Sequence, residues 1–296
     1  MESLARANGV EIAYETFGDS AEETVLLVMG LGVQMLGWDE GFCRMLAGRG
    51  FWVVRFDNRD VGHSSKIEGG PRPDLGAVLA GNLSSASYTL DDMGDDCAGL
   101  LDALGVDAAH VVGASQGGMI GQAMAIRHRE RVRSLVSIMS TTGERGVGQP
   151  HQEAIPVVMA RAPADRDGYV EFAARAWRVI GSPEFEIDEE ALRERAGASY
   201  DRGIFPEGTA RQLAAILASE DRTEALRSLD MPATVIHGTE DVLVDVSGGA
   251  ATAAAIPGAR LELIEGMGHD LPRALWPRLV DLIVETAERA RTRAAR

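Results

Sequence analysis

Two hydrophobic rhythms alternate along the chain. Short apolar runs recur at Val25 to Met29, Phe51 to Phe56, His110 to Val112, Leu135 to Met139, Ala233 to His237 and Leu261 to Ile264. Bounded runs of this kind mark strands buried on both faces. Val10 to Phe17 instead alternates apolar and polar residues, which predicts an edge strand or one arm of a hairpin. Between the runs the period lengthens to that of a helix. Asp91 to Leu104 carries Met93, Leu100, Leu101 and Leu104, with acids at its start, where a helix dipole favours them. Met119 to Arg127 is a second helix-like stretch, and a last one runs from about Pro272 to Arg289 with a proline in its first turn. Strands alternating with helices predict an α/β fold, a mainly parallel sheet with helices on both faces.

The alternation stops between about Gly143 and Arg222. No strand-like run occurs there. Helix-like pieces at Gln152 to Arg161, Asp167 to Val179, Glu189 to Ala196 and Thr209 to Ser219 are separated by proline and glycine breaks. This pattern predicts a helical cap over residues 143–222, inserted into a core built from residues 1–142 and 223–296.

Composition narrows the partners. The formal net charge is −16, from 45 acidic and 29 basic side chains. Nucleic acid and anionic membrane surfaces both need a basic patch, so neither is an expected partner. The basic stretch Arg289 to Arg296 reads as the fraying end of the last helix, its arginines complementing the dipole. Cys43 and Cys97 fall in helix-like segments without metal-ligand spacing and read as buried thiols with no disulfide. No metal or organic cofactor is indicated. The N-terminus lacks the long apolar core of a signal peptide. Val25 to Leu36, the most apolar stretch, is too short and too glycine-rich to span a bilayer, so the expected location is the cytoplasm.

Candidate chemistry centres on Gly113-Ala114-Ser115-Gln116-Gly117, placed directly after a strand-like run and directly before a helix-like one. A Gly-x-Ser-x-Gly in that context is the nucleophile elbow of the α/β-hydrolase fold. The turn strains the serine backbone, and a Cβ on either glycine would clash with the neighbouring strand and helix. A serine hydroxyl needs a base to take its proton, and the base needs an orienting acid. In this fold they follow in the order serine, acid, histidine. Of six histidines, only His269, on a glycine-rich loop after the last strand-like run, follows both the serine and the best acid. That acid is Asp241, just beyond the run ending at His237; Glu240 beside it and Glu144 one strand earlier are the alternatives. His110 and His237 border strands and read as structural groups. The expected oxyanion donors are the backbone N–H groups of Gln116 and of Leu31 in Met29-Gly30-Leu31-Gly32. Met29, Met35, Trp38 and Met119 lie near the expected active edge and predict an apolar substrate pocket, with core packing the alternative for Met35 and Met119. Trp177 in the cap either lines that pocket or, as the preferred reading, packs between cap helices.

The segment Arg55 to Ser64 resembles the Asp-x-Arg-Gly-x-Gly-x-Ser motif of α/β-hydrolases, with Asp60 in place of the usual glycine. Met29-Gly30 stands where many members have His-Gly. Those two departures, with Leu36-Gly37-Trp38, His110 to Gly113 and Gly266 to Pro272, are similar to methylesterases of the aclacinomycin type, which cleave a methyl ester from an anthracycline, an aromatic polyketide glycoside. The resemblance is strong over the core segments and weak over residues 143–222. It implies a cofactor-free serine esterase acting on a hydrophobic small molecule through an acyl-enzyme. Two other functions stay open: a related triad chemistry (perhydrolysis or haloperoxidation, carbon–carbon bond or lactone hydrolysis), and a non-catalytic module that binds a hydrophobic ligand. Epoxide hydrolases and haloalkane dehalogenases use an aspartate where this chain has Ser115 and are disfavoured. A monomer and a homodimer are both compatible with the sequence.

Overall fold

The computed structural model describes residues 2–294, so Ala295 and Arg296 at the end of the basic tail lie outside the described residues. Eight strands form one sheet: β1 (Ser3–Ala7), β2 (Val10–Phe17), β3 (Glu23–Val28), β4 (Phe51–Phe56), β5 (Ala109–Ala114), β6 (Val132–Ile138), β7 (Ala233–Gly238) and β8 (Arg260–Ile264). Their order across the sheet is β1-β2-β4-β3-β5-β6-β7-β8. β1 and β2 pair antiparallel, as do β2 and β4, and every pairing from β4 to β8 is parallel. Val10 to Phe17 is therefore the inner arm of a hairpin, and β1 and β8 are the two edges of the sheet.

The described residues form eleven α-helices: α1 (Glu40–Ala47), α2 (Leu75–Leu79), α3 (Leu90–Ala103), α4 (Gln116–Arg127), α5 (Ile155–Met159), α6 (Arg166–Ile180), α7 (Glu189–Asp201), α8 (Pro206–Ala218), α9 (Thr223–Leu226), α10 (Val246–Ala255) and α11 (Trp276–Ala294). The period-2 geometry of a strand sends neighbouring side chains to opposite faces. In β3, Leu26 and Val28 join Met93, Leu100 and Ile120 of α3 and α4 in one core. Val25 and Leu27 join Phe42 of α1 and Leu279 and Ile283 of α11 in the other. The apolar runs of β3 to β7 thus feed two cores at once, whereas β8, expected to be buried on both faces, is an edge strand with Leu261 and Leu263 exposed and only Ile264 in a core. Both cysteines are buried and unpaired, and burial pushes the Cys43 thiol up to about 12.

Between β6 and β7 the chain forms α5 to α9 and no strand. A second helical excursion sits between β4 and α3: α2 packs against α8. Its five residues, Leu75 to Leu79, are too few for a helical period to show in the sequence. No helix among the described residues is long and apolar enough to cross a membrane.

Candidate active site

Ser115 sits between the end of β5 and the first turn of α4, with φ 57° and ψ −124°. A non-glycine residue at positive φ is held there only by surrounding structure. Ser115 N–H donates to the Ile138 carbonyl at 2.8 Å, and Gly118 N–H donates to the Ser115 carbonyl at 2.9 Å. The flanking glycines permit the close packing. A Cβ on Gly113 would lie 2.1 Å from the Gly117 carbonyl oxygen, and one on Gly117 would lie 2.1 Å from that of Val28. The turn therefore points the hydroxyl outward from the C-terminal edge of the sheet, where it makes no hydrogen bond among the described residues.

His269 lies on the loop after β8. Its Nδ1 is 2.8 Å from Asp241 Oδ2, and both residues are buried. Asp241 Oδ1 accepts from the N–H groups of Leu243 and Val244, each at 2.9 Å. Burial alone would raise the Asp241 carboxyl. The charge of His269, the hydrogen bonds from His237 and His269 and the Val244 N–H outweigh it and hold the carboxyl well below its ordinary value. An ionised Asp241 makes Nδ1 the donor, which leaves Nε2 of His269 as the proton acceptor. Glu144 and Glu240 are exposed, and neither is bonded to His269. His237 lies fully buried beneath this pair, with Nε2 2.8 Å from the Val244 carbonyl and 3.4 Å from Asp241 Oδ2. The insert steadies the histidine loop as well. His269 N–H donates to the Ile180 carbonyl at 2.7 Å, and Gly268 N–H to Ser182 Oγ at 2.8 Å.

The loop after β3 crosses close to the serine. A Cβ on Gly30 would lie 3.1 Å from Ser115 Cβ, so only a bare backbone passes this near without displacing it. Asn58 Nδ2 donates to the Met29 carbonyl at 2.9 Å and pins the loop from β4. The N–H groups of Leu31 and Gln116 make no hydrogen bond among the described residues.

Ser115, Leu31 and His269 line one cavity of about 820 Å³, roofed by α5 to α8 and by residues just before and within α2. Met29 and Trp38 line it too. Met35 and Met119 do not. Met35 is fully buried, its N–H donating to Asp57 Oδ1 at 2.7 Å, and Met119 packs into the core shared by α3 and α4. Both are buried away from the cavity. Trp177, expected to pack between cap helices, lines the cavity, as does Phe172. Arg195 of α7 also lines it, a residue that no pattern in the sequence marks. It is part-buried, and among the described residues it is the one arginine that is not exposed and has neither a hydrogen bond nor an ion pair. Burial pulls its guanidinium below the ordinary value, against the opposing pull of Asp39, Asp270 and Asp188. Nothing in a sequence reveals a missing partner, so no signal could have found it.

Residues 23–272 match the family model described as the alpha/beta hydrolase fold. The chain is 30% identical to rhodomycin D methylesterase of Streptomyces peucetius, over 95% of this chain and 94% of that one. It is 32% identical to 2-hydroxymuconate semialdehyde hydrolase of Pseudomonas sp. strain CF600, over 67% of this chain and 68% of that one. An esterase structure from Rhodococcus sp. ECU1013 superposes with a TM-score of 0.74 at 23% identity, covering 97% of this chain and 98% of that one. The resemblance to methylesterases drawn from the motifs is borne out, and the chain belongs to the α/β-hydrolase fold family of enzymes.

Proposed function

We propose that this protein is a carboxylic-ester hydrolase that cleaves an ester, a methyl ester by preference, of a hydrophobic polyketide-like small molecule. The observation that carries this reading is a strained, outward-facing Ser115 in the same apolar cavity as a histidine whose Nδ1 is held by a buried, ionised aspartate. Ser115 Oγ attacks the ester carbonyl while His269 Nε2 takes its proton. Asp241 keeps the imidazole in the productive tautomer and stabilises the imidazolium. The Leu31 and Gln116 N–H groups receive the developing oxyanion. His269 then returns the proton to the leaving alcohol, and water repeats the sequence on the acyl-enzyme. The helical insert over residues 143–222 acts as a cap that excludes water and shapes the substrate site. A substrate oxygen acceptor would satisfy the unpaired donors of Arg195. The likeness to a methylesterase along nearly the whole chain supports the substrate class.

The test is intact-mass labelling with a fluorophosphonate, alongside turnover of p-nitrophenyl butyrate. A single adduct and multiple turnover in the wild type, both absent in Ser115→Ala, are expected. No adduct and no turnover would replace this reading with that of a ligand-binding module.

A further inference from the structure

The two proposed oxyanion donors lie on separate segments, Leu31 on the loop after β3 and Gln116 on the first turn of α4. Oxyanion stabilisation depends on donors already fixed in place when charge develops. The residue that links the two segments comes from the insert. Gln212 of α8 is fully buried. Its Oε1 accepts from Gly32 N–H, one residue beyond Leu31, at 2.8 Å. Its Nε2 donates to the Arg59 carbonyl at 2.8 Å, which ties the same amide to the segment after β4. The backbone carbonyl of Gln212 accepts from the side-chain Nε2 of Gln116 at 3.3 Å.

Helix α8 is set against the core at its neighbouring positions too. A Cβ on Gly32, at φ +66°, would lie 2.8 Å from Thr209, and one on Gly208 would lie 2.3 Å from the Asp60 carbonyl oxygen. Arg211 Nε donates to Asp60 Oδ2 at 3.0 Å, with both side chains buried. Tyr88 Oη donates to the same carboxylate oxygen at 2.8 Å. Asp60, where the family motif has glycine, is thus the counter-charge of a helix from the insert. A buried ion pair is a weak source of stability, and its best-attested use is to fix register.

We propose that α8 is a fixed brace of the oxyanion hole, with the Gln212 side chain the positioning group for the loop that carries the Leu31 donor and the Asp60–Arg211 pair the lock that orients it. This inference rests on the esterase reading above. The experiment compares wild type, Gln212→Leu and Gln212→Glu in ester turnover, melting temperature and inhibition. One inhibitor is a trifluoromethyl ketone, which forms a tetrahedral adduct with the serine; the other is its secondary-alcohol analogue, which does not. Gln212→Leu is expected to lower kcat roughly tenfold to a hundredfold, less than the loss of a whole oxyanion donor, and to leave KM within about twofold. Ketone affinity should fall by the same factor as kcat, and alcohol affinity should hold. In Gln212→Glu, a protonated carboxyl can accept from Gly32 and donate to Arg59, whereas the ionised carboxylate repels that carbonyl. The kcat of Gln212→Glu relative to wild type should therefore rise as pH falls from about 8 to about 5.5. If Gln212→Leu does not fold, the pH-dependent ratio of Gln212→Glu decides alone. Unchanged kcat, equal losses for ketone and alcohol, or a flat ratio would each overturn the brace while an active wild type keeps the esterase reading. A wild type with neither turnover nor fluorophosphonate label would overturn both.

Discussion

Helix α4 and helix α6 are of similar length but bury very different shares of themselves. α4 buries ten of its twelve residues, and α6 buries two of its fifteen. α4 holds the serine turn against two strands and α3, so its side chains finish a core. The apolar side chains of α6, Phe172 and Trp177 among them, face a cavity instead. Part of the molecule is packed to hold one hydroxyl in a strained position. The other part turns apolar side chains to the cavity and buries few of them in a core. The tightly packed core and the cavity-lining insert thus meet at the site.

The sharpest way to break this comparison is at the elbow. Ser115→Ala should lower kcat on the order of a million-fold while melting as the wild type does. Substantial residual ester turnover in a folded variant would mean that the burial of α4 supports a turn without a catalytic purpose.

Asp241→Asn comes next, with an expected loss of about ten-thousand-fold in kcat as the wrong imidazole tautomer is favoured. Glu144→Gln should leave kcat within about twofold, since the side chain is exposed and remote in its bonding from His269. The aspartate also links to acid stability. Its folded carboxyl is depressed, so its contribution is fully present above the ordinary value of 3.8 and is lost as pH falls from there toward the folded value. Acid unfolding of the wild type should therefore steepen below about pH 4 in a way that Asp241→Asn does not reproduce.

These two predictions concern residues that the sequence exposes directly. The buried strands announce themselves because a strand covered on both faces has no polar positions to interrupt it. The Gly-x-Ser-x-Gly turn is legible because sterics permit so few residues there, and the order of serine, acid and histidine leaves His269 alone. β1 is less legible: three of its five residues are exposed, so its apolar pattern is faint. Within the site, the division of the four apolar pocket candidates was hidden. Met29 and Met119 have the same chemistry, but one lies on a loop over the cavity and the other in the core shared by α3 and α4. Most hidden of all are the links from the insert, such as Gln212 to Gly32 across 180 positions of chain. No local pattern encodes an amide partner chosen by tertiary packing.

Lining and core positions should separate in their kinetics. Trp177→Ala removes apolar surface from the cavity and should raise KM for a bulky aromatic methyl ester about tenfold or more, with kcat for a small activated ester little changed. Met119→Ala should do the reverse, costing about 2–5 kcal/mol of stability through a core cavity while leaving that KM nearly unmoved. Chemical denaturation and steady-state kinetics on both variants measure the division. Equal KM effects would mean that the cavity extends into the core.

The smallest effect is expected where the insert is most visibly bonded. Arg178 of α6 and Glu189 of α7 form a two-pronged ion pair at 2.7 and 2.8 Å, with side chains 43% and 40% exposed. Its geometry rivals that of Arg211 and Asp60, yet water competes for both partners and salt screens them. Arg178→Ala should leave the melting temperature and ester turnover unchanged within error, at low salt and at high salt alike. Arg211→Met leaves the buried carboxylate of Asp60 without its guanidinium partner and frees the rotation of α8, so its loss should appear in kcat as well as in stability. The two pairs look alike as contacts and differ only in burial and in what lies beyond them. If Arg178→Ala lowers kcat as much as Arg211→Met does, α6 and α7 are braced to the catalytic groups as α8 is. The division between a fixed and a loosely held part of the insert then disappears.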